Sequence, residues 1–230
     1  MSEHRLFAAS YDRWSLPVEV AGLARRRHRL VGRAKGRVLE LGAGSGMNLG
    51  HYAATVTSLT ALEPDHGLRK RLEARVAAAP RGFTIETVAA GIDDADLPRH
   101  AYDTVVATLV LCSVADLHQT LVRIRDLLAE DGSLLFLEHV KAPGSRAGMQ
   151  RVAGYAWSRM LPGCHLDRDV TGALRHAGFA IADCERFELA VGNPLVSAAV
   201  QGEAIVSHQL RPLVATSGPS SASGDGLGTR

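Results

Sequence analysis

The sequence predicts a single α/β domain built around a parallel β-sheet, and two observations lead to this prediction. Apolar runs rich in β-branched residues recur at 37–42, 57–63, 83–89, 103–110 and 133–140. Helical apolar periodicity fills the intervals between these runs. Strands that alternate with helices are typical of a parallel sheet carrying helices on both faces. A chain of 230 residues is the right size for one such domain.

Two helices are predicted between the strands. In the first, residues 66–79, Leu68, Leu72 and Val76 repeat at four-residue intervals. The second, residues 113–130, begins with a capping pattern and ends before Asp131-Gly132. Parallel sheets bind ligands beyond the carboxyl ends of their strands, so functional residues are expected directly after each strand.

A basic stretch precedes the first strand. Residues 21–37 contain seven Arg and Lys residues and no acid. The favoured interpretation is the solvated face of a surface helix. Its buried face would consist of Val20, Leu23, Leu30, Val31 and Ala34. The alternative is a surface for anionic membranes, that is, a peripheral membrane contact.

Composition excludes several classes of function. A net charge of +2 and 5% aromatic residues argue against a nucleic-acid partner. Cys112, Cys164 and Cys184 are few and far apart, which predicts reduced intracellular thiols, inert core packing for the first two, and no metal site. The charged N-terminus and the absence of a long apolar run predict a cytoplasmic protein without a signal peptide or transmembrane segment. Residues 216–230 are Gly/Ser-rich and predicted to be disordered, which leaves a domain of residues 1–215.

The stretch LELGAGSG follows the first strand and indicates a ligand. Gly42, Gly44 and Gly46 alternate, so the third glycine comes one residue earlier than in the dinucleotide fingerprint. Glu40 within the strand would disfavour a pyrophosphate, whereas Glu63 at the tip of the next strand can accept both hydroxyls of a ribose. S-adenosylmethionine (SAM), a nucleoside with a sulfonium, fits this pattern. An NAD-type oxidoreductase is the alternative.

The sequence resembles the class I SAM-dependent methyltransferases. The matching segments are VLELGAGSG (38–46), ALEPD (61–65), VAAGIDDADLP (88–98), YDTVVATLVLCSV (102–114) and DGSLLFLEHV (131–140). The resemblance implies a Rossmann-like, seven-stranded, mostly parallel sheet with an antiparallel last strand, and SAM as cofactor. Residues 178–189 and 201–210 would form the final antiparallel pair. A SAM-binding module without catalysis is a further alternative.

The resemblance also implies cofactor-binding residues. Gly42, Gly44 and Gly46 would approach the methionine portion, with Glu40 anchoring their loop, and Glu63 would hold the ribose. Gly91, Ile92 and Asp93 would lie beside the adenine, and Thr108 and Leu109 beside the methyl donor. Tyr11 and Trp14 would belong to an N-terminal lid within residues 1–36. Asp94 and Asp96 compete with Asp93 for the adenine amino group. Core packing is the alternative for Tyr11 and Trp14.

The acceptor side has a narrower resemblance. TLVLCSV (108–114), LEHV (137–140) and GCHLDRD (163–169) resemble a subgroup that includes animal alkyl-thiol methyltransferases and bacterial proteins of unassigned substrate. The sequence differs from the animal members in having no hydrophobic N-terminal anchor and in having His165 in place of asparagine. The resemblance favours a thiol acceptor over a phospholipid or other amine, a hydroxyl or a carbon.

An apolar insertion, residues 144–168, is expected to cover the acceptor pocket and favours a lipophilic small molecule; packing on the sheet is the alternative. His139 and His165 are the candidate general bases. His139 is equally compatible with a backbone contact, and His165 with a helix cap. A metal site made of His139, Cys164 and His165 lacks a complete ligand set and is not predicted.

Overall fold

The computed structural model of the chain describes residues 17–79, 81–142, 144, 146, 148, 150, 164–189 and 197–207. The predicted lid residues Tyr11 and Trp14 and the predicted disordered tail lie outside the described residues. Most of the predicted insertion, residues 144–168, lies outside them as well.

Seven strands of the described part of the chain form one sheet. They are β1 (Gly36–Leu41), β2 (Val56–Leu62), β3 (Thr84–Val88), β4 (Tyr102–Thr108), β5 (Leu128–His139), β6 (Phe179–Glu188) and β7 (Ala198–Val206). Their order in the sheet is β3-β2-β1-β4-β5-β7-β6. Strands β1 to β5 pair in parallel, and β7 pairs antiparallel with both β5 and β6. The predicted Rossmann-like architecture with an antiparallel final pair is confirmed, although β7 begins three residues before the predicted strand.

The helices cover the sheet on both faces. The α-helices whose bounds the structure describes are α1 (Ala24–Val31), α2 (His66–Ala78), α3 (Leu117–Leu127) and α4 (Val170–His176), with a π-helical turn, Glu19–Leu23, before α1. Alternate residues of β5 enter opposite apolar layers: Leu134 packs in one, and Leu135 in the other. This period of two is the reason that the strand sequence is continuously apolar.

The bounds of α3 differ from the prediction. The side chain of Asp116, not Ser113, caps the helix by accepting from the Gln119 N–H at 3.0 Å. The helix ends at Leu127, since Leu128 already pairs with Tyr102 as the first residue of β5. Helical apolar spacing continued to Leu128 in the sequence, and pairing to β4 takes precedence over it.

The basic stretch differs from a uniformly solvated face. The predicted buried face is confirmed at four positions, whereas Val20 is 79% exposed. Gly22, at φ +130°, interrupts the helical backbone beside Val20 and breaks the expected periodicity. Arg27 is buried. Arg26 and Arg33 pair with Glu185 and Asp183 of β6, at 3.0 and 2.8 Å, which favours a packing role for this stretch.

Among the described residues, no helix has the length and apolarity needed to cross a membrane.

Candidate functional site

One cavity of about 510 Å³ opens at the carboxyl ends of the parallel strands. Its lining comes from Leu41 and His139 at the ends of β1 and β5, from residues that follow β1, β2 and β4, from residues 91–93 after β3, and from Leu68 and Cys164. The chain leaves β1 toward β2 on one side and β4 toward β5 on the other, which makes the β1–β4 boundary the topological switch point. The cavity therefore lies where the sequence predicts a ligand.

The glycine loop after β1 forms one wall. All three glycines have positive φ: +56° at Gly42, +59° at Gly44 and +86° at Gly46. A Cβ at Gly44 would meet only the Gly42 oxygen, at 3.9 Å, so it would project into open space. A Cβ at Gly46 would lie 2.9 Å from Leu49 Cδ1. Gly42 and Gly44 thus line the cavity, whereas Gly46 permits packing beneath the loop.

Glu63 holds the glycine loop from the end of β2. Its Oε2 accepts from the Gly44 N–H at 2.7 Å, and its Oε1 accepts from the Asp65 N–H at 2.8 Å. Burial raises the pKa of this carboxyl above its usual range. Each carboxylate oxygen has about two acceptor positions, so each retains one that can accept a hydroxyl. Because Glu63 also lines the cavity, it fits the two hydroxyls of a ribose.

Glu40 lies behind the loop and not in the lining of the cavity. It accepts from Asn48 Nδ2 and from the Tyr52 hydroxyl, each at 2.8 Å. Burial raises its pKa to about 7. Glu40 therefore anchors the loop region through two side chains, with no backbone amide of the glycine loop among its described bonds.

Thr108 faces the same buried network. Its Oγ1 accepts from Arg27 Nη1 and from Asn48 Nδ2, each at 2.9 Å. Arg27 also donates to Glu19 Oε1 at 2.9 Å. The predicted contact of Thr108 with the methyl donor has no support in this geometry. Sequence reasoning missed Arg27, because nothing in a run of seven basic residues distinguishes the one that turns inward.

The residues proposed to contact the adenine differ in whether they line the cavity. Ile92 is buried and Asp93 is exposed, and both line the cavity with Gly91. Asp94 and Asp96 are not part of the described lining. Among the three carboxylates, the geometry favours Asp93.

The loop after β4 forms the opposite wall and is held by Glu138. Leu109 begins the loop with φ +56°. Glu138, fully buried on β5, accepts from the N–H groups of Val110, Leu111 and Cys112 at 3.0, 2.9 and 3.2 Å. Burial raises the pKa of Glu138 well above its usual range. Sequence reasoning gave Glu138 no role, although a lone acid inside the apolar strand SLLFLEHV is a usable signal.

Two thiols and an imidazole meet beside this loop. Cys112 Sγ lies 3.7 Å from Cys164 Sγ, and one ligand atom each from Cys112, His139 and Cys164 all lie within 4.8 Å of one another. The contact with Cys164, together with burial, raises the pKa of Cys112 to about 12. Nδ1 of His139 is buried and has no hydrogen-bond partner among the described residues. All three residues line the cavity.

His165, the other candidate base, lies differently. Its side chain is exposed and is not part of the described cavity lining, and its backbone N–H donates to the Cys112 carbonyl at 2.8 Å. A metal site of His139, Cys164 and His165 was considered from the sequence and not predicted. The structure brings Cys112, and not His165, to His139 and Cys164.

A family profile described as a methyltransferase domain matches residues 18–183. The chain belongs to the class I SAM-dependent methyltransferases. Its cofactor is therefore S-adenosylmethionine, and family membership decides against an NAD-type oxidoreductase. The open space at Gly44 and the remaining acceptor capacity of Glu63 both fit this cofactor.

Two named human proteins are similar in sequence to part of this chain. Human thiol S-methyltransferase TMT1B is 38% identical over 159 residues, covering 66% of this chain and 64% of that protein. The chain thus spans somewhat less than two thirds of the length of that relative. Human thiol S-methyltransferase TMT1A is 31% identical over 172 residues, covering 73% of this chain and 70% of that protein.

Solved structures show the same fold. A putative methyltransferase in complex with the Haloferax volcanii Trm112 activator superposes with a TM-score of 0.68 at 14% identity, covering 90% of this chain and 99% of that one. A SAM-dependent methyltransferase from Thermotoga maritima gives a TM-score of 0.61 at 14% identity, covering 88% and 97% of the two chains.

Proposed function

We propose that this protein transfers the methyl group of SAM to the sulfur of a small, lipophilic thiol. The observation that carries the proposal is the lining of the acceptor half of the cavity, which consists of residues 109, 110 and 112–115 with His139 and Cys164. No Asp, Glu, Lys or Arg belongs to the described lining of this half. Apolar walls favour a lipophilic acceptor, whereas a charged headgroup would lose hydration there without gaining a partner.

The relatives support the choice of atom. Two human proteins that are 38% and 31% identical to this chain are named thiol S-methyltransferases. A free thiol has a pKa of about 8.5, so a few per cent is already thiolate near neutral pH. A hydroxyl acceptor would instead depend on a general base, typically for a factor of ~10²–10⁴. Only one imidazole of the described lining, that of His139, could act as such a base, and its Nδ1 is buried.

When bound, SAM supplies an electrophilic methyl carbon on a sulfonium that is already a good leaving group. The chain has to bind the nucleoside, align the acceptor and exclude water. The glycine loop and Glu63 serve the first task. The loop that Glu138 fixes, from Leu109 to Cys112, supplies the wall against which an acceptor would lie.

The proposal can be tested by incubating the purified protein with methyl-labelled SAM and a panel of acceptors. The panel contains an alkyl thiol, a phenol, a primary amine and a phosphatidylethanolamine vesicle, and mass spectrometry identifies the methylated product. The expected result is a methyl thioether as the main product. A labelled phenol ether, amine or headgroup without thioether would contradict the thiol assignment, and no product from any acceptor would favour a SAM-binding module.

The exposed position of His165 allows a further check. His165→Gln should leave thiol turnover within about twofold of the wild type, because no described contact of its side chain reaches the cavity. A loss of ~10²-fold or more would show that His165 is the base, and would favour a hydroxyl acceptor.

A further inference from the structure

We propose that Cys112, His139 and Cys164 form a site for a soft divalent metal ion, Zn²⁺ in the first instance, whose fourth position receives the acceptor thiol. The inference rests on the proposed function for its acceptor and on independent geometry for its metal. Three residues from different parts of the chain place two thiols and one imidazole within 4.8 Å of one another.

The spacing fits tetrahedral coordination. Zn²⁺ binds thiolates at about 2.3 Å, which for a tetrahedral angle separates two sulfur atoms by ~3.8 Å. The two Sγ atoms lie 3.7 Å apart. A thiol–thiol hydrogen bond also gives such a distance, but it does not account for the His139 side chain, which interacts with Cys112 as well and whose buried Nδ1 has no hydrogen-bond partner among the described residues. An ion among the three side chains accounts for the distance between the sulfur atoms and for the convergence of the imidazole on them.

The donor set indicates both the metal and its role. Two thiolates with an imidazole favour zinc over the hard cations Mg²⁺ and Ca²⁺, which prefer oxygen. Structural zinc sites have four protein ligands, whereas sites with three keep one position open for a reactant. No fourth His, Cys, Asp or Glu joins this cluster among the described residues. Because all three ligands line the cavity, we expect the open position to face the acceptor.

Coordination would prepare the thiol for attack. The acceptor thiol releases its proton to solvent as its sulfur takes the fourth position. A lone pair of that sulfur then forms the new S–C bond while the bond from the methyl carbon to the sulfonium breaks, and that electron pair leaves with S-adenosylhomocysteine. The product is a neutral thioether, a weaker ligand than a thiolate, so it dissociates and the metal is unchanged.

The first test measures metal and needs no turnover. Untagged full-length protein, treated with a chelator and dialysed, is titrated with Zn²⁺ and, separately, with Co²⁺. The expected result is one ion per chain, together with the intense visible spectrum of tetrahedral Co²⁺ and a thiolate charge-transfer band. A wild-type protein that binds neither ion, or a Co²⁺ spectrum without thiolate bands, would overturn the proposal irrespective of any variant.

Matched cysteine variants locate the site. Cys112→Ser and Cys164→Ser should each weaken Zn²⁺ binding by more than ~10-fold, since even partners that only support ligands have effects of 10–100-fold. Cys184→Ser is the control, because Cys184 is exposed on β6, away from the cluster. Equal binding by all three variants would overturn the assignment. So would a Cys112–Cys164 disulfide that forms on mild oxidation in a protein without affinity for Zn²⁺.

The second test connects the metal to the acceptor. Removing Zn²⁺ should lower methylation of the alkyl thiol by more than ~10-fold while SAM affinity is unchanged, and adding Zn²⁺ should restore it. Thiol methylation that persists fully without metal overturns this inference and leaves the proposed function standing. Zinc binding in a protein that methylates an amine or phenol but no thiol overturns both the proposed function and the acceptor role of the metal.

Discussion

The loops after β1 and β4 face each other across one cavity, and each is held by a carboxylate from the neighbouring strand. Glu63 on the β2 side accepts from the Gly44 amide and still lines the cavity. Glu138 on β5 accepts from three consecutive amides and is fully buried. The first carboxylate therefore shapes a loop and is also placed where a ligand can reach it, whereas the second only shapes a loop.

Both loops contain residues at positive φ, but they use different residue types there. The first uses glycines at positive φ, where a side chain would occupy ligand space or clash. The second has Leu109 at φ +56°, a conformation that costs a non-glycine residue roughly 1–2 kcal/mol. A 2.7 Å bond from the Leu109 N–H to the Leu137 carbonyl and the bonds to Glu138 offset that strain. The glycine loop thus leaves space in the cavity, whereas the loop after β4 forms one of its walls.

The largest expected effect comes from removing that space. Gly44→Val should lower SAM affinity by ~1000-fold or more, about 4 kcal/mol, because a branched side chain at φ +59° would enter the cavity. Calorimetric titration with SAM measures it. Gly50→Val is the control, since a Cβ at Gly50 meets nothing within 4 Å and its φ is ordinary. A Gly44→Val protein that folds and binds SAM normally would place the cofactor elsewhere.

Removing Glu138, which holds the loop after β4, should lower the free energy of unfolding and leave SAM binding unchanged. Glu138→Ala leaves three buried or partly buried amides without their acceptor, which should lower the free energy of unfolding by roughly 3 kcal/mol or more. Urea denaturation measures the change. SAM affinity of the folded variant should remain within about threefold of the wild type. A selective loss of SAM binding at unchanged stability would mean that Glu138, like Glu63, acts on the cofactor.

The pH dependence of stability tests the buried support of the cofactor half. Burial raises the pKa of Glu40 from 4.5 to about 7, so the folded state retains a proton that the unfolded state loses. This group's contribution is fully present below pH 4.5 and is lost as pH rises toward about 7, a decrease of about 3 kcal/mol. Glu40→Gln should remove that decrease, as measured by urea denaturation across the interval.

Groups around Glu40 also titrate or carry charge, namely Arg27, Tyr52 and Glu63. They are present in both proteins, so the difference between the two pH profiles isolates Glu40. Parallel profiles for the wild type and Glu40→Gln would show that Glu40 is ionised throughout the interval.

The smallest of these effects concerns the ribose. Glu63→Ala should weaken SAM binding by 1.5–3 kcal/mol, roughly 10–100-fold, since hydrogen bonds to a charged acceptor are lost. Glu73→Ala is the matched control, because Glu73 lies on the adjacent helix α2 and is half exposed. An unchanged dissociation constant for Glu63→Ala would remove the ribose assignment.

The cofactor half was readable from the sequence because its signals are local. Three alternating glycines, Glu63 at a strand tip and residues 91–93 each follow a strand, and parallel strands end at one edge. Strand and helix order followed from periodicity for the same reason. Errors fell where tertiary contacts decide: Leu128 joined β5 and Arg27 turned inward.

The acceptor half could not be assembled in this way. Cys112, His139 and Cys164 are 27 and 25 residues apart along the chain, and no spacing rule connects them. These three side chains come together because the loop after β4 folds back toward β5, where Glu138 accepts hydrogen bonds from three of its amides. From the sequence, His139 and His165 were both candidate bases. The structure places His139 in the lining of the cavity, whereas His165 is exposed and outside the described lining.

We propose that the cavity holds the cofactor at one end and a thiol at the other. Steady-state kinetics of methyl transfer to an alkyl thiol is the direct test of this division, with Glu63→Ala compared against Cys112→Ser. We expect Glu63→Ala to raise the KM for SAM by roughly 10-fold or more without changing the KM for the thiol, and Cys112→Ser to do the reverse. If both variants raise the KM for SAM alone, or neither wild type nor variants methylate the thiol, the division of the cavity is wrong.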